Sequence, residues 1–244
     1  HKCSDLFITY LVPVVLGIDE ALTRMDAYLQ AEPGWKKEIP NLKIMLKEVI
    51  NRLSKKPVIV TNKKGQQVKI GAYDFQVGFS FILGNTRWVG YLPFYIKQAH
   101  LGNFRSIVPI VKRVKRLPLP SMVYFPMTLA SGFTPQKWQL VQAQKKQSLF
   151  ADAINFPSID RKIYNIWQVP DLGNEFRKQV RSNKSVLFLS GDLDFRTPLK
   201  EVEEVCKSFP NSRHIVIEKT SHDFYFFTSL KLRKLMTDSK RRTS

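Results

Sequence analysis

Hydrophobic residues in the first part of the chain recur at helical spacing. The first stripe has steps of four, three and four positions and comprises Ile18, Leu22, Met25 and Leu29. This spacing predicts one buried face of a helix, which Glu32-Pro33-Gly34 is expected to end. A second stripe predicts a helix that begins near Asn41 and stops before Pro57. Its members are Leu42, Leu46, Val49 and Leu53.

The pattern then changes to a short β-ribbon followed by more helices. Residues 58–60 are Val-Ile-Val and residues 68–70 are Val-Lys-Ile, and the two runs flank the turn composition of residues 62–65. Residues 73–131 are rich in aromatic side chains but interrupted by prolines, which favours several short packed helices. Thr134-Pro135 is a good helix start, because a capping hydroxyl precedes a proline in the first turn. That helix is predicted to reach about Phe150, and another covers 159–167.

The last quarter of the chain has an α/β pattern. The apolar run 186–189 ends in Ser190-Gly191, which is typical of a buried parallel strand. Thr197-Pro198 is predicted to start a helix, a second strand covers 214–217, and a last helix runs from about 223 to 235. The predicted stripe of the first of these helices comprises Leu199, Val202, Val205, Cys206 and Phe209. Strand, helix, strand, helix is the order found at the end of an α/β sheet.

Composition and charge narrow the function classes. The 244 residues are 43% hydrophobic, which is too apolar for a globally disordered chain. Apolar runs fall short of the roughly 18 residues of a membrane-spanning helix, so no membrane span is predicted. Two cysteines, Cys3 and Cys206, cannot build a disulfide framework or a cysteine zinc site.

The 39 Lys and Arg against 20 Asp and Glu give a net charge of +19. The basic residues are scattered in small clusters and are not interleaved with aromatics as in an RNA-recognition strand. A solvated, lysine-rich surface is therefore the first interpretation, with an acidic partner or substrate as the second. Specific nucleic-acid binding is not expected.

Candidate chemistry lies at the ends of the two predicted parallel strands. Asp192 and Asp194 follow the first strand, and His222 follows the second. Parallel strands present their carboxyl ends at one sheet edge, where α/β proteins place their sites. A carboxylate that binds one imidazole nitrogen leaves the other as a base, and the order acid then histidine is that of a Ser…Asp…His triad. Taken singly, the two carboxylates are equally consistent with helix caps, and His222 with a surface histidine.

These motifs resemble the α/β-hydrolases of the prolyl and tripeptidyl aminopeptidase branch. Residues 186–198 are similar to the branch's acid-bearing strand and turn, and 213–222 to its histidine-bearing strand and loop. Further likeness lies in the cap, namely in 42–57, Leu92-Pro93, 130–135, 152–156 and 169–173. The resemblance implies that Asp194 is the triad acid, with Asp192 as the rival, and that His222 is the general base.

The chain departs from that family pattern at two points. The family nucleophile is a serine in a G-x-S-x-G elbow upstream of the cap, and no G-x-S-x-G occurs here. Gly78-Phe79-Ser80-Phe81-Ile82 comes nearest, but it lacks the second glycine and follows no strand, so Ser80 is not expected to be a nucleophile. Residues 127–133 contain none of the cap carboxylates that bind a substrate amine in aminopeptidases.

The sequence therefore predicts an α/β-hydrolase fold fragment. Residues 1–180 form a mostly helical cap with the ribbon near 58–70, and 181–244 hold the last two parallel strands and helices of the core. The resemblance implies a small peptide or ester substrate, no cofactor or metal, and a nucleophile-bearing N-terminal half without which the chain is inactive. Many relatives are exported, although the chain begins without a signal-peptide pattern. Two alternatives stay open: a non-catalytic basic module for an anionic partner, and a truncated product without a stable fold.

Overall fold

The computed structural model describes residues 16–62, 64–116, 124–132, 134–150, 153 and 168–223. The predicted helix at 159–167, the predicted last helix beyond residue 223 and the motif at 152–156, apart from residue 153, lie outside these residues. The helices are α1 (Gly17–Ala31), α2 (Pro33–Glu38), α3 (Leu42–Lys55), α4 (Ala72–Leu83), α5 (Thr86–Val89), α6 (Leu92–His100), α7 (Val108–Arg116), α8 (Tyr124–Ser131), α9 (Pro135–Lys145), α10 (Gly173–Phe176) and α11 (Leu199–Cys206). The strands are β1 (Val58–Thr61), β2 (Gln67–Ile70), β3 (Val186–Gly191) and β4 (Ser212–Ile217).

The two predicted N-terminal helices are confirmed as α1 and α3. All four residues of the first stripe are at most 5% exposed, and the second stripe is fully buried. Asn41 caps α3, because its side-chain oxygen accepts a hydrogen bond from the backbone N–H of Ile44 at 2.9 Å. Glu32 is extended and ends α1, but Pro33 then begins the additional helix α2, since proline suits the first helical position.

The predicted β-ribbon is confirmed as the antiparallel pair β1 and β2. Val58 pairs with Ile70 and Thr61 with Gln67. Ile70 is fully buried, so the ribbon covers one side of the helical core. The core itself lies mainly among α1, α3, α4, α6 and α7. The last three of these are among the short helices predicted for residues 73–131. Its aromatic centre comprises Phe75, Phe79, Phe104 and Phe150.

Helix α9 is shorter than predicted. It begins after Thr134, whose hydroxyl oxygen accepts from the backbone N–H of Lys137, but it ends at Lys145 and not near Phe150. Ser148 terminates the following turn by accepting a hydrogen bond from the backbone N–H of Phe150. This turn lets the fully buried Phe150 ring pack against Phe79, with ring centroids 5.2 Å apart. Tertiary packing of one ring therefore outweighs continuation of the helix.

The two predicted parallel strands are confirmed as β3 and β4. Val186 is opposite Ser212 and Gly191 is opposite Ile217, so both strands end at the same edge. Each is longer than its apolar run predicts, whereas α11 is shorter and ends at Cys206, before Phe209 of the predicted stripe. Residues 186–189 are half-buried, and β3 becomes fully buried only at Ser190 and Gly191.

The described residues have a mostly helical fold followed by a parallel strand pair, which agrees with a partial α/β-hydrolase fold. None of their helices combines the length and hydropathy needed to cross a bilayer. Several contacts join α1 to the end of β3. The Arg24 guanidinium donates to the backbone oxygen of Asp192 at 3.2 Å, and Gly17 lies directly against the backbone of Phe195.

Candidate active site

The two loops that follow β3 and β4 are joined by backbone hydrogen bonds. The N–H of Asp192 donates to the carbonyl of Ile217 at 3.1 Å, and the N–H of Leu193 donates to the carbonyl of Thr220 at 3.0 Å. These bonds continue the strand pairing beyond Gly191. Side chains from the two loops are therefore held at one edge of the sheet, as the parallel pattern predicts.

The structure brings Asp194 and His222 into direct contact. Nδ1 of His222 lies 3.0 Å from Oδ2 of Asp194, although the two residues are 28 positions apart. Asp194 is only 5% exposed, while the His222 side chain is 30% exposed. An ionised carboxylate can only accept, so Nδ1 carries the hydrogen and Nε2 is the basic nitrogen. Among the described residues, Nε2 has no hydrogen-bond partner.

Asp194 is held in place by its own loop. Its Oδ1 accepts from the backbone N–H groups of Arg196 (2.8 Å) and Thr197 (3.1 Å), and its Oδ2 accepts from the Thr197 hydroxyl. Burial alone raises the pKa of Asp194. The hydrogen bond and charge of His222, together with the Thr197 donors, outweigh burial and hold this pKa below its usual value. Asp194 is therefore an oriented anion at neutral pH.

The rival acid, Asp192, faces a different part of the molecule. Its Oδ2 accepts from the phenol hydroxyl of Tyr28 on α1, and its Oδ1 accepts from the backbone N–H of Thr220 at 3.3 Å. Within the described residues it contacts no histidine. Asp192 thus ties α1 to both loops and does not orient His222.

Neither carboxylate caps α11. That helix begins after Pro198, and its first turn has no side-chain cap. Asp194 binds the N–H groups of the turn before the helix, so the cap interpretation of both acids is wrong for this helix. The sequence pattern predicts Thr197 only as a helix start and does not predict its hydrogen bond to Asp194. The spacing of Asp194 and Thr197 is the available signal, since aspartate often accepts from groups two and three residues later.

The segment that joins α4 to α5 supports the histidine loop. The Ser221 backbone N–H donates to the Thr86 hydroxyl oxygen at 3.0 Å, and the Ser221 hydroxyl donates to the carbonyl of Leu83. Ser221 is fully buried. The residue before His222 is therefore fixed on both its backbone and its side chain. No sequence signal marked Thr86, because its partner is 135 positions away.

Ser80 lies inside α4, not at a strand–helix elbow. It is 8% exposed, and its hydroxyl donates to the carbonyl of Val77 at 2.9 Å. In the described part of the chain, no serine hydroxyl contacts His222. This part also contains no group of three or more His, Cys, Asp or Glu side chains arranged to hold a metal ion.

Two of the motifs that resemble the family's cap lie against each other. The Leu172 N–H donates to the Ala130 carbonyl at 2.8 Å, and the Arg177 guanidinium donates to the Ser131 carbonyl at 2.8 Å and to Asp171 at 2.6 Å. The hydrogen bond from Arg177 to Asp171 lowers the pKa of Asp171, and this effect outweighs burial, which raises it. The carboxylate that lies against the acid-free stretch 127–133 is thus already neutralised by an arginine.

Comparison with known proteins supports the hydrolase assignment of the C-terminal region. Residues 162–235 match a family model described as TAP-like protein. The matched segment contains β3, β4 and both loops of the candidate site. No curated protein and no solved structure matches the chain.

Proposed function

We propose that Asp194 and His222 are the acid and the general base of a Ser–Asp–His triad in an α/β-hydrolase, a proposal that the match of residues 162–235 to a TAP-like family model supports. The observation that carries this proposal is the 3.0 Å contact between the two side chains at the carboxyl ends of β3 and β4. The order of the acid and the histidine in the chain is that of an α/β-hydrolase.

Each residue has a distinct chemical role in this proposal. Nε2 of His222 removes the proton from a serine hydroxyl while that oxygen attacks the carbonyl carbon of the substrate. Asp194 stabilises the imidazolium that forms and keeps Nδ1 protonated. The imidazolium then protonates the leaving group, and water hydrolyses the acyl-enzyme through the same base. Small peptides and esters are the proposed substrates.

The serine is proposed to lie on an N-terminal half of the hydrolase core. Support comes from the absence of a G-x-S-x-G elbow in the sequence and from the position of Ser80 inside a helix. The half-buried apolar residues 186–189 also favour further core elements packed against β3, because parallel sheets are normally covered on both faces. In this division, residues 1–180 act as the cap and 181–244 complete the core.

The test begins with the open reading frame that encodes this chain. A frame that continues upstream through parallel strands and a G-x-S-x-G elbow is expected. The complete product should react with a serine-directed fluorophosphonate and hydrolyse peptide or ester substrates, whereas this chain alone should not be labelled. Labelling of this chain alone would overturn the assignment of the nucleophile to another segment.

Substitutions then test the two residues in the complete enzyme. Asp194→Asn and His222→Ala are expected to lower kcat by about 10⁴, since each removes a triad function. Asp192→Asn is the matched control, because it makes the same change in the same loop without touching His222. A larger loss for Asp192→Asn than for Asp194→Asn, with both variants folded, would reject Asp194 as the acid.

A further inference from the structure

A cavity of about 850 Å³ lies among α4, α5, α6 and α7. Its described lining residues are Ile82, Trp88, Tyr91, Tyr95, Pro109, Ile110, Lys112 and Arg113. The walls are thus mainly aromatic and aliphatic, and the two charged groups are both cations. A volume of this size accommodates a small organic ligand.

Arg113 is positioned to receive an anion. Its guanidinium lies 5.4 Å from the ring centroid of Trp88 and 5.6 Å from that of Phe81. The side chain is exposed, and among the described residues it has no carboxylate partner. Cation–π contacts with aromatic rings leave N–H donors of the guanidinium available. The guanidinium fork matches the two oxygens of a carboxylate.

The neighbouring surface has the same sign of charge. A second cavity of about 730 Å³ adjoins the first, since Pro109 and Lys112 line both. Lys64 and Arg105 are its other charged lining residues, and no described acidic side chain lines either cavity. The combined groove therefore concentrates anions and repels free amines.

The first cavity shares its wall with the support of the histidine loop. Ile82 and Trp88 line the cavity, while Leu83 and Thr86, which lie between them in the chain, bind Ser221. The segment 82–88 thus connects the cavity with the residue before His222. A ligand that packs on Trp88 contacts the element on which the candidate general base rests.

We infer that this cavity binds a carboxylate carried on an aromatic or bulky apolar body, such as the C-terminal residue of a peptide. As a statement about substrate, this inference rests on the proposed hydrolase function. In this inference, the cap recognises the carboxyl end of the substrate. A free amine is best bound by a carboxylate, and neither the acid-free stretch 127–133 nor Asp171, which Arg177 already pairs, offers one.

Calorimetric titration of the 244-residue chain at low ionic strength tests the inference without any reaction. The probes are N-acetyl-L-phenylalanine, its neutral amide, and phenylalanine amide, which carries a free amine. The carboxylate is expected to bind at least about tenfold more tightly than either amide, because a charge-assisted bidentate pair is lost in both. Its affinity should also fall as salt is added. Equal binding of the three probes, or no binding of the carboxylate, would overturn the inference.

Substitutions of Arg113 locate the binding. Arg113→Gln should lower the affinity for N-acetyl-L-phenylalanine by about tenfold or more. Arg113→Lys should retain part of that affinity because it keeps the charge. Arg181→Gln is the charge-matched control, since this exposed arginine lies outside both cavities. An unchanged affinity in Arg113→Gln would reject the site. A third outcome is selective binding of the carboxylate probe by a complete enzyme that shows no hydrolase activity. That outcome would reject the hydrolase proposal and would keep the cavity as a ligand site.

Discussion

The backbone of Gly191 at the end of β3 lies against the backbone of Thr220 in the loop after β4. A Cβ atom added to Gly191 would overlap the carbonyl oxygen of Thr220 and lie 2.6 Å from its carbonyl carbon. This close approach allows the two loops to share backbone hydrogen bonds and brings Asp194 within reach of His222. A glycine at this position is thus part of the geometry of the candidate site.

Gly191→Ala is therefore expected to destabilise the chain by about 2 kcal/mol or more, because neither backbone can move without breaking the strand pairing. Urea unfolding followed by circular dichroism measures the effect. Gly34→Ala is the control, since a Cβ there would meet nothing within 4 Å in an exposed helix. Equal stability of the two variants would show that the loops tolerate separation.

Gly132 combines a left-handed backbone with a close neighbour. Its φ is +57°, and an added Cβ would lie 2.6 Å from Oδ2 of Asp171, which Arg177 holds in place. Gly132→Ala should destabilise the chain by about 1–2 kcal/mol through the left-handed backbone conformation alone. The displacement of the Asp171 side chain should add to this loss of stability. Gly65→Ala isolates the first contribution, because Gly65 has φ +75° with nothing within 4 Å.

The double variant Gly132→Ala/Asp171→Ala separates the two contributions further. Removal of the Asp171 carboxylate relieves the 2.6 Å contact, while Nη1 of Arg177, 2.9 Å from the added Cβ, remains. The cost of Gly132→Ala measured in the Asp171→Ala background should therefore fall toward that of Gly65→Ala. An undiminished cost would mean that the Asp171 side chain does not contribute to the cost of Gly132→Ala. Urea midpoints of the single and double variants provide the comparison.

Tyr28 connects α1 to the loop of Asp194 through its hydrogen bond to Asp192. The pKa of Tyr28 is raised to about 12, and burial is the largest cause. The hydrogen bond to Asp192 and the negative charge of Asp192 act in the same direction. Tyr28→Phe should destabilise the fold by about 2 kcal/mol at neutral pH, because Asp192 loses a donor to a charged group. Tyr91→Phe, which removes the hydroxyl of an exposed ring, should change stability by less than about 0.5 kcal/mol.

The pH dependence of the Tyr28→Phe effect has a defined sign. A folded-state pKa above the unfolded value of 10.0 stabilises the fold fully below pH 10, and this stabilisation is lost as the pH rises toward 12. The stability difference between the wild-type chain and Tyr28→Phe should therefore shrink across that window. A constant difference would contradict a raised pKa for this tyrosine.

Local patterns predicted most elements of this fold, but not the short helices α2 and α10 and not all of the element ends. The stripes of α1 and α3 and the apolar runs of β3 and β4 each contain their own periodic signal, and each is found where that signal predicts it. The end of α9 depends on Phe150 packing against Phe79, which lies far away in the chain. No window around residues 134–150 contains that information.

The candidate site shows the same limit. The sequence pattern places Asp192 and Asp194 at one strand end, and only the family resemblance, not their types and spacing, favours Asp194 as the acid. The separation of the two roles depends on Tyr28, which is 164 positions from Asp192, and on His222, which is 28 positions from Asp194. No sequence pattern predicted the cavity beside Arg113, because its lining residues come from four different helices.

Asp194 should make the stability of the chain sensitive to acid. Its folded-state pKa lies below the unfolded value of 3.8, so its contribution is present above pH 3.8 and disappears as the pH falls through the folded-state value. Asp194→Asn removes that contribution at every pH. Urea unfolding between pH 2.5 and 6 should therefore show the wild-type chain more stable at pH 6, with the difference closing at the acid end.

Glu201 on α11 provides a control of opposite sign. Burial raises the pKa of Glu201, an effect that outweighs the nearby Lys137, and its buried Oε2 has no hydrogen-bond partner in the described structure. Its stabilising contribution is complete below the unfolded value of 4.5 and is lost as the pH rises through the folded-state value. Glu201→Gln should therefore gain stability relative to the wild-type chain as the pH rises, while Asp194→Asn loses it. Parallel trends in the two variants would mean that the acid response arises from the net charge of the chain and not from these two environments.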